Sequence, residues 1–368
     1  MISKIRESLS PLNVILCFSG CPLFPFKNKV INIIIQIHCL ILITSYPVIF
    51  LFNRHGINSD VPFVIKSTMF VWKSLSISCS ILLLITIFKM RHKWVRTFES
   101  MQLTEHDYKR ISQFTRRLII TAACYAIFIK IFILFAFMIK TSRNESVSFY
   151  LNSPFFVLTN YHYWYLIPIV LYLTMLQAID LNDTNVMKEC KRNLEEPVQV
   201  CRVLNRLHVM KKKFSDSISF LILCLYFRLF LAAVGSICRA NLFYGDDKIP
   251  LIARVFSSCS VVRVSVEICL LIYMTFKVDR YSKNSKKRLE SLARFIIQTK
   301  DPNEWSFVLI RIKESKQFEY NAFNTFVINR NSLLSFATSF VSLTVLFVQL
   351  INQQYQPQSN VAFIGFRG

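Results

Sequence analysis

The chain has 368 residues, 53% of them apolar, and carries 44 Lys and Arg against 21 Asp and Glu, a formal charge of +23. A soluble domain averages roughly 45–50% apolar with Gly near 7%, whereas this chain has a mean hydropathy of +0.41, 34 Phe and only 6 Gly. A disordered basic tail, poor in aromatic residues, is excluded, and the apolar runs are too long for two soluble domains.

What is left is an all-α, polytopic membrane protein. About 20 mostly apolar residues cross a hydrocarbon core of about 30 Å, and windows near that length predict seven transmembrane helices. Residues 1–29 come first; their apolar run is short and broken by Gly20, Pro22 and Pro25, which is not a signal peptide. The spans follow at residues 30–52, 63–88, 118–139, 154–181, 214–238, 249–276 and 332–351. A basic stretch, 277–331, separates the last two, and residues 352–368 form a tail too short to span.

The positive charge is distributed by side. Thirty-two of the 44 Lys and Arg precede span one or follow spans two, four and six; six lie on the opposite side and six inside spans. The positive-inside rule then predicts the N-terminus inside and the C-terminus outside. The sequon at Asn144 falls outside, where glycosylation is possible, and the one at Asn182 falls inside. Eleven scattered Cys and six isolated His form neither a disulfide framework nor a metal site. No cofactor is expected.

Several motifs yield to simpler readings. Asp279-Arg280-Tyr281 spells a triplet of rhodopsin-like receptors, but it follows the sixth span instead of closing the third. His55 and Asp60 match an acyltransferase pair, without the phosphate-binding element that chemistry needs. The basic runs at residues 211–213 and 283–288 lie next to spans, where anionic membrane lipids account for them and nucleic acid is not required.

The ions inside spans are costlier, about 2.5–3.5 kcal/mol each at a helix centre. Lys66 and Arg254 are near outer ends and can snorkel. Lys73, Lys130 and Arg228 are deeper and are candidates for a polar cavity; Arg263 and Glu267, one turn apart, suit an ion pair or a ligand contact. Tyr163 and Trp164, in an aromatic run at the start of span four, suit either the interfacial belt or a small-molecule pocket.

The most specific pattern enters and closes the last span. Phe326, Ile328, Asn329, Arg330, Leu333 and Leu334 lead into it, and Ser342-Leu343, five residues, then Gln349-Leu350 close it. This resembles the C-terminal signature of insect gustatory receptors, with Asn329 in place of Asp, Ser342-Leu343 in place of Thr-Tyr, and Leu350 in place of Phe. Pro11-Leu12, Gly20 and Pro25-Phe26 look like the family's N-terminal pattern.

The resemblance implies a multi-pass plasma-membrane protein of sensory neurons, not an enzyme. Such a protein is a ligand-gated, non-selective cation channel opened by small organic tastants, a homo- or heterotetramer with a fold shared with the odorant co-receptor. The last helices line the pore, and inner helix extensions form an anchor. In that reading Ser342, Leu346, Gln349 and Leu350 contribute pore and gate; Ser342, Leu346 and Gln349 share a helical face at i, i+4 and i+7. Two apolar stripes are expected in the anchor, Leu289, Leu292, Phe295 and Ile296, then Phe307, Ile310 and Phe318. A seven-helix G-protein-coupled receptor is the alternative.

Overall fold

Helix length sets the architecture. The computed structural model describes residues 2–18, 22–24, 26, 29–37, 40–41, 63–141, 166–244, 251–301 and 303–355. They form α1 (Ile2–Ser8), α2 (Ser10–Phe18), α3 (residues 29–37), α4 (Phe63–Glu99), α5 (Glu105–Thr141), α6 (Leu166–Arg192), α7 (Pro197–Tyr244), α8 (Leu251–Thr299), α9 (Ser306–Lys316), the two-residue strands β1 (Asn321–Ala322) and β2 (Phe326–Val327), and α10 (Arg330–Tyr355). At 1.5 Å per residue, α7 and α8 are each roughly 70 Å long, more than twice a hydrocarbon core. Each therefore runs on from its apolar segment into a Lys- and Arg-rich extension, and these extensions make up the basic end of the bundle.

Among the described residues, Leu166–Arg192 and Pro197–Ser236 are long and apolar enough to cross a membrane. α6 is apolar on every side through its first three turns and buried along most of its length, which makes it the central helix. α7 is the hub: it packs most extensively on α4, and also on α8, α6, α9, α10 and the hairpin.

Local chemistry sets the ends. Thr104 and Asp107 form a capping box before α5: the Asp107 carboxylate accepts from the Thr104 N–H (2.9 Å) and hydroxyl (2.7 Å), and the Asp107 N–H donates to Thr104 Oγ1 (3.3 Å). The Asn185 amide adds a bond to the same oxygen at 2.8 Å, tying α6 to this corner. Pro197 opens α7, where its missing N–H costs nothing. The β1–β2 hairpin pairs Asn321 with Val327 and Ala322 with Phe326, and turns through Phe323 and Asn324 with φ of 51° and 57°. Two positive φ values in succession match the strand twist, although Phe pays to adopt them.

The basic end is organised around a buried carboxylate. Asp183 on α6, its side chain 2% exposed, accepts from Lys211 Nζ of α7 and Arg288 Nη1 of α8, each at 3.2 Å. Lys211 also donates to Ser285 at 2.6 Å, and Arg288 reaches Asp180 at 2.8 Å. The Tyr281 hydroxyl donates to Gln177 at 2.7 Å, a third tie between α8 and α6. Burial, then the Asp183 and Asp180 carboxylates, push the Tyr320 phenol far above its ordinary range. Asn182, the inner sequon, is buried and occupied: its Oδ1 accepts the Gln102 N–H at 2.6 Å.

Of the two expected stripes, the first holds at three of four positions and the second shifts phase. Leu289, Leu292 and Ile296 are buried as expected, but Phe295 is exposed. In the next helix Phe307 and Ile310 face outward, and Trp305, Val308 and Ile312 are buried instead. The chain re-enters the helix at Ser306, so the inward face repeats from Trp305 at i, i+3 and i+7.

Removing one partner from a buried ion pair costs about 3–5 kcal/mol, because the other charge is left unpaired. Asp183→Ala should therefore sharply lower the detergent melting temperature, and Asp183→Leu with Lys211→Met should recover most of the loss. A silent single variant would contradict the arrangement. At Asp107, burial raises the carboxyl, but hydrogen bonds from Thr104 and Asn185, with Arg110 nearby, outweigh it and set its pKa below the ordinary value. Its stabilisation is thus complete above the unfolded value near ~3.9 and is lost as pH falls through the lower folded value. Melting curves of wild type and Asp107→Ala should stand apart at pH 6 to 7 and converge in acid.

Candidate functional site: the seat of the last helix

α10 begins with a reciprocal cap. Asn329 Oδ1 accepts the Ser332 N–H at 2.9 Å, while Ser332 Oγ accepts the Asn329 N–H at 3.1 Å and donates to the Asn329 carbonyl at 2.7 Å. Asn and Asp serve about equally as N-caps, so the Asn found where the resembled signature has Asp performs the same task.

Arg330 is held from two directions. Its Nε lies 3.2 Å from Asp279 Oδ2 of α8, and its guanidinium stacks 4.9 Å from the Phe276 ring centroid. Lys283 donates to the same Asp279 oxygen at 2.7 Å. The Asp279 side chain is 10% exposed and that of Arg330 61%, so the acid is fixed in the protein wall and the base lies over it.

A second set of contacts is aromatic. The rings of Phe326 and Phe336 meet Tyr226 of α7 edge-on at 5.1 and 5.8 Å, and Phe336 and Phe340 meet Phe230 at 5.3 and 6.4 Å. Such pairs contribute about 0.5–1.5 kcal/mol beyond area burial. The Tyr226 and Thr275 hydroxyls are hydrogen-bonded. Thr275 gives its proton to the Leu271 carbonyl at 2.9 Å, so Tyr226 is the donor in that pair.

The opposite face of α10 is not covered by any of the described residues. Thr338, Ser342, Val345 and Gln349 are exposed at i, i+4, i+7 and i+11, flanked by exposed Leu334, Val341 and Leu346. Leu333 is half-buried. The side chain of Leu350 lies outside the described residues, as do those of Lys73, Lys130 and Arg263 on α4, α5 and α8. Tyr163, Trp164 and Asn144 fall outside them altogether, with His55 and Asp60. Of the expected ligand residues, Arg228 on α7 and Glu267 on α8 are described, and both are buried. Among the described residues no group of His, Cys, Asp and Glu is arranged to hold a metal.

Asp279, Tyr226, Thr275, Phe230 and Phe336 were not candidates from sequence. Asp279 and Tyr281, set aside as a chance triplet, carry structural contacts to α10 and α6. The spacing of Tyr226 and Phe230, one helical turn apart, was the available signal for the aromatic seat.

No family model matches the chain, and no curated protein matches it. The fold is similar to that of the insect olfactory receptor OR5 from Machilis hrabei in complex with eugenol, with a TM-score of 0.64 and 11% identity over 94% of this chain and 98% of that one. A second structure of the same receptor aligns over the same shares with a TM-score of 0.60 and 12% identity. The chain therefore has the insect olfactory receptor fold, the fold implied by the resemblance of its last span.

The cap makes a quantitative prediction. Asn329→Ala should cost about 1 kcal/mol of stability, while Asn329→Asp should be near neutral. Denaturation of the purified protein reads both, and equal losses in the two variants would remove the cap from the account.

Proposed function

We propose that this chain is a chemosensory receptor of the gustatory type, a ligand-gated, non-selective cation channel opened by small organic molecules. The observation that carries the reading is the fold shared with an olfactory receptor over nearly the whole of both chains, joined to the last-span signature the sequence resembles. The OR5 structure holds eugenol, a small organic molecule, which supports a ligand of that class here.

In this reading seven spans cross the plasma membrane with the N-terminus inside, and the basic end of the bundle is cytoplasmic, in keeping with the charge bias. Copies of the chain surround an axis, each contributing the uncovered face of α10. Closed cyclic assembly is the common solution for repeated subunits, and it would cover the exposed Leu334, Val341 and Val345. Ser342 and Gln349 then line the pathway beside Leu346 and Leu350, a neutral polar and apolar lining of a kind that gates by dewetting. Arg228 and Glu267 are placed at the ligand pocket, with Lys73, Lys130, Arg263, Tyr163 and Trp164. Asp279 and the Tyr226 aromatic seat hold the last helix against the sensing helices. The G-protein-coupled alternative is not favoured, because the shared fold belongs to the insect olfactory receptor.

Expressed alone or with a partner receptor, the protein should pass ligand-evoked cation current that survives G-protein blockade, and Gln349→Ala should change its permeation or gating. Purified protein that stays silent in bilayers under every ligand mixture and partner combination, or an N-terminal tag accessible from outside, would sink the proposal.

A further inference from the structure

The N-terminal segment folds back across the basic end of α4. Arg91 Nη1 donates to the Pro22 carbonyl at 3.3 Å, and its guanidinium stacks 4.4 Å from the Phe88 ring centroid. The Phe24 N–H donates to Asn13 at 2.9 Å, and Arg6 lies 5.8 Å over the Phe24 ring. Residues 22–24 thus pass between two cavities. One, of about 220 Å³, is lined by Arg6, His92, Arg96 and Glu99 against Leu23, Phe24 and Val95. The other, of about 150 Å³, is lined by Pro22, Arg91 and the Asn32, Ile35 and Gln36 side of α3.

From these two cavities we infer a binding site for the phosphate headgroup of an acidic phospholipid. Size is the first argument: both cavities are smaller than the roughly 300–1,000 Å³ of sites that enclose drug-sized molecules, and their lining is mostly charged and polar rather than the apolar one that cavities of this size need to hold a small organic molecule. Charge is the second. In the larger cavity two Arg and one His face a single acid, Glu99, and a guanidinium is the side chain best matched to phosphate oxygens. In the smaller cavity Arg91 is tied to the Pro22 carbonyl, and Asn32 is taken up by the Phe26 backbone, accepting its N–H and donating to its carbonyl, both at 2.8 Å, which leaves the larger cavity as the seat for the phosphate.

Position selects a lipid over a soluble phosphate. Val30, Ile31, Ile33, Ile34 and Ile37 of α3 are exposed around the same turns that bring Asn32 and Gln36 to the smaller cavity. Where α3 is the start of the first span, as the proposed function has it, that apolar surface faces hydrocarbon and the cavities lie at the headgroup level. Acyl chains then run along the isoleucines while the phosphate enters the larger cavity between Arg6, His92 and Arg96. Orientation in the membrane requires basic residues at this end, but it does not require them to line a cavity.

The test is lipid binding to the full-length, detergent-purified protein, read by native mass spectrometry and by shift of melting temperature. The probes are phosphatidylinositol 4,5-bisphosphate, phosphatidylcholine and soluble inositol 1,4,5-trisphosphate. The acidic lipid should be retained and phosphatidylcholine should not. His92→Gln with Arg96→Gln changes exposed side chains and leaves the Arg91 hold on Pro22 intact, so a loss there is not misfolding. With charged hydrogen bonds removed, the affinity should fall about tenfold or more, while Arg202→Gln, exposed and basic elsewhere, should bind as wild type. Equal loss in the Arg202 control, or no preference over phosphatidylcholine, overturns the site; equal affinity for the soluble headgroup overturns the lipid assignment. None of these measurements requires current, so their failure leaves the channel reading standing, and a silent channel leaves the site standing.

Discussion

The carboxylate of Asp183, buried between Lys211 of α7 and Arg288 of α8, fixes where three long helices meet. An ion taken out of water costs several kcal/mol unless partners surround it, so α6, α7 and α8 can slide past one another only by abandoning that charge. The consequence travels along the helices. Arg288 and Asp279 are nine residues apart on α8, roughly 13 Å at 1.5 Å per residue, so the register set at the ion cluster also decides where Asp279 meets Arg330. The Tyr172–Phe214 stack at 5.8 Å and the Phe214–Tyr320 contact at 6.4 Å carry the packing from α6 through α7 to the segment leading into the hairpin.

The last helix is attached differently from the helices behind it. α6 is buried along most of its length, whereas α10 has one face against Tyr226 and Phe230 and another that none of the described residues covers. Its ties are a cap, one ion pair with a largely exposed base and a few edge-to-face rings. Each is of order 1 kcal/mol, against several kcal/mol for breaking the buried pair at Asp183.

Much of the fold was legible because apolar run length and charge placement are properties of contiguous sequence. The all-helical class followed from them, the start of the last helix followed from the resembled signature, and the substitution of Asn329 for Asp is harmless for a reason a single residue's chemistry supplies. Asp183 and Asp279 were not legible. The first sits in a sequon and the second in a receptor-like triplet, and the partner that explains each is far away in sequence, Arg288 being 105 residues from Asp183. Phe307 and Ile310 were misassigned for a related reason: a helical stripe can be phased only from the point where the helix starts, and the turn at residues 303–305 moved that point.

Composition and the order of residues by themselves determined a helical chain with long apolar runs separated by basic segments, a pattern that follows from the cost of placing polar groups in hydrocarbon. Which acids are structural, which aromatic rings seat the last helix, and where the basic residues line cavities were decided only when the helices packed. Those properties depend on side chains from separate helices arriving within a few ångströms of each other, and on how completely the surrounding helices exclude water, neither of which any one segment contains.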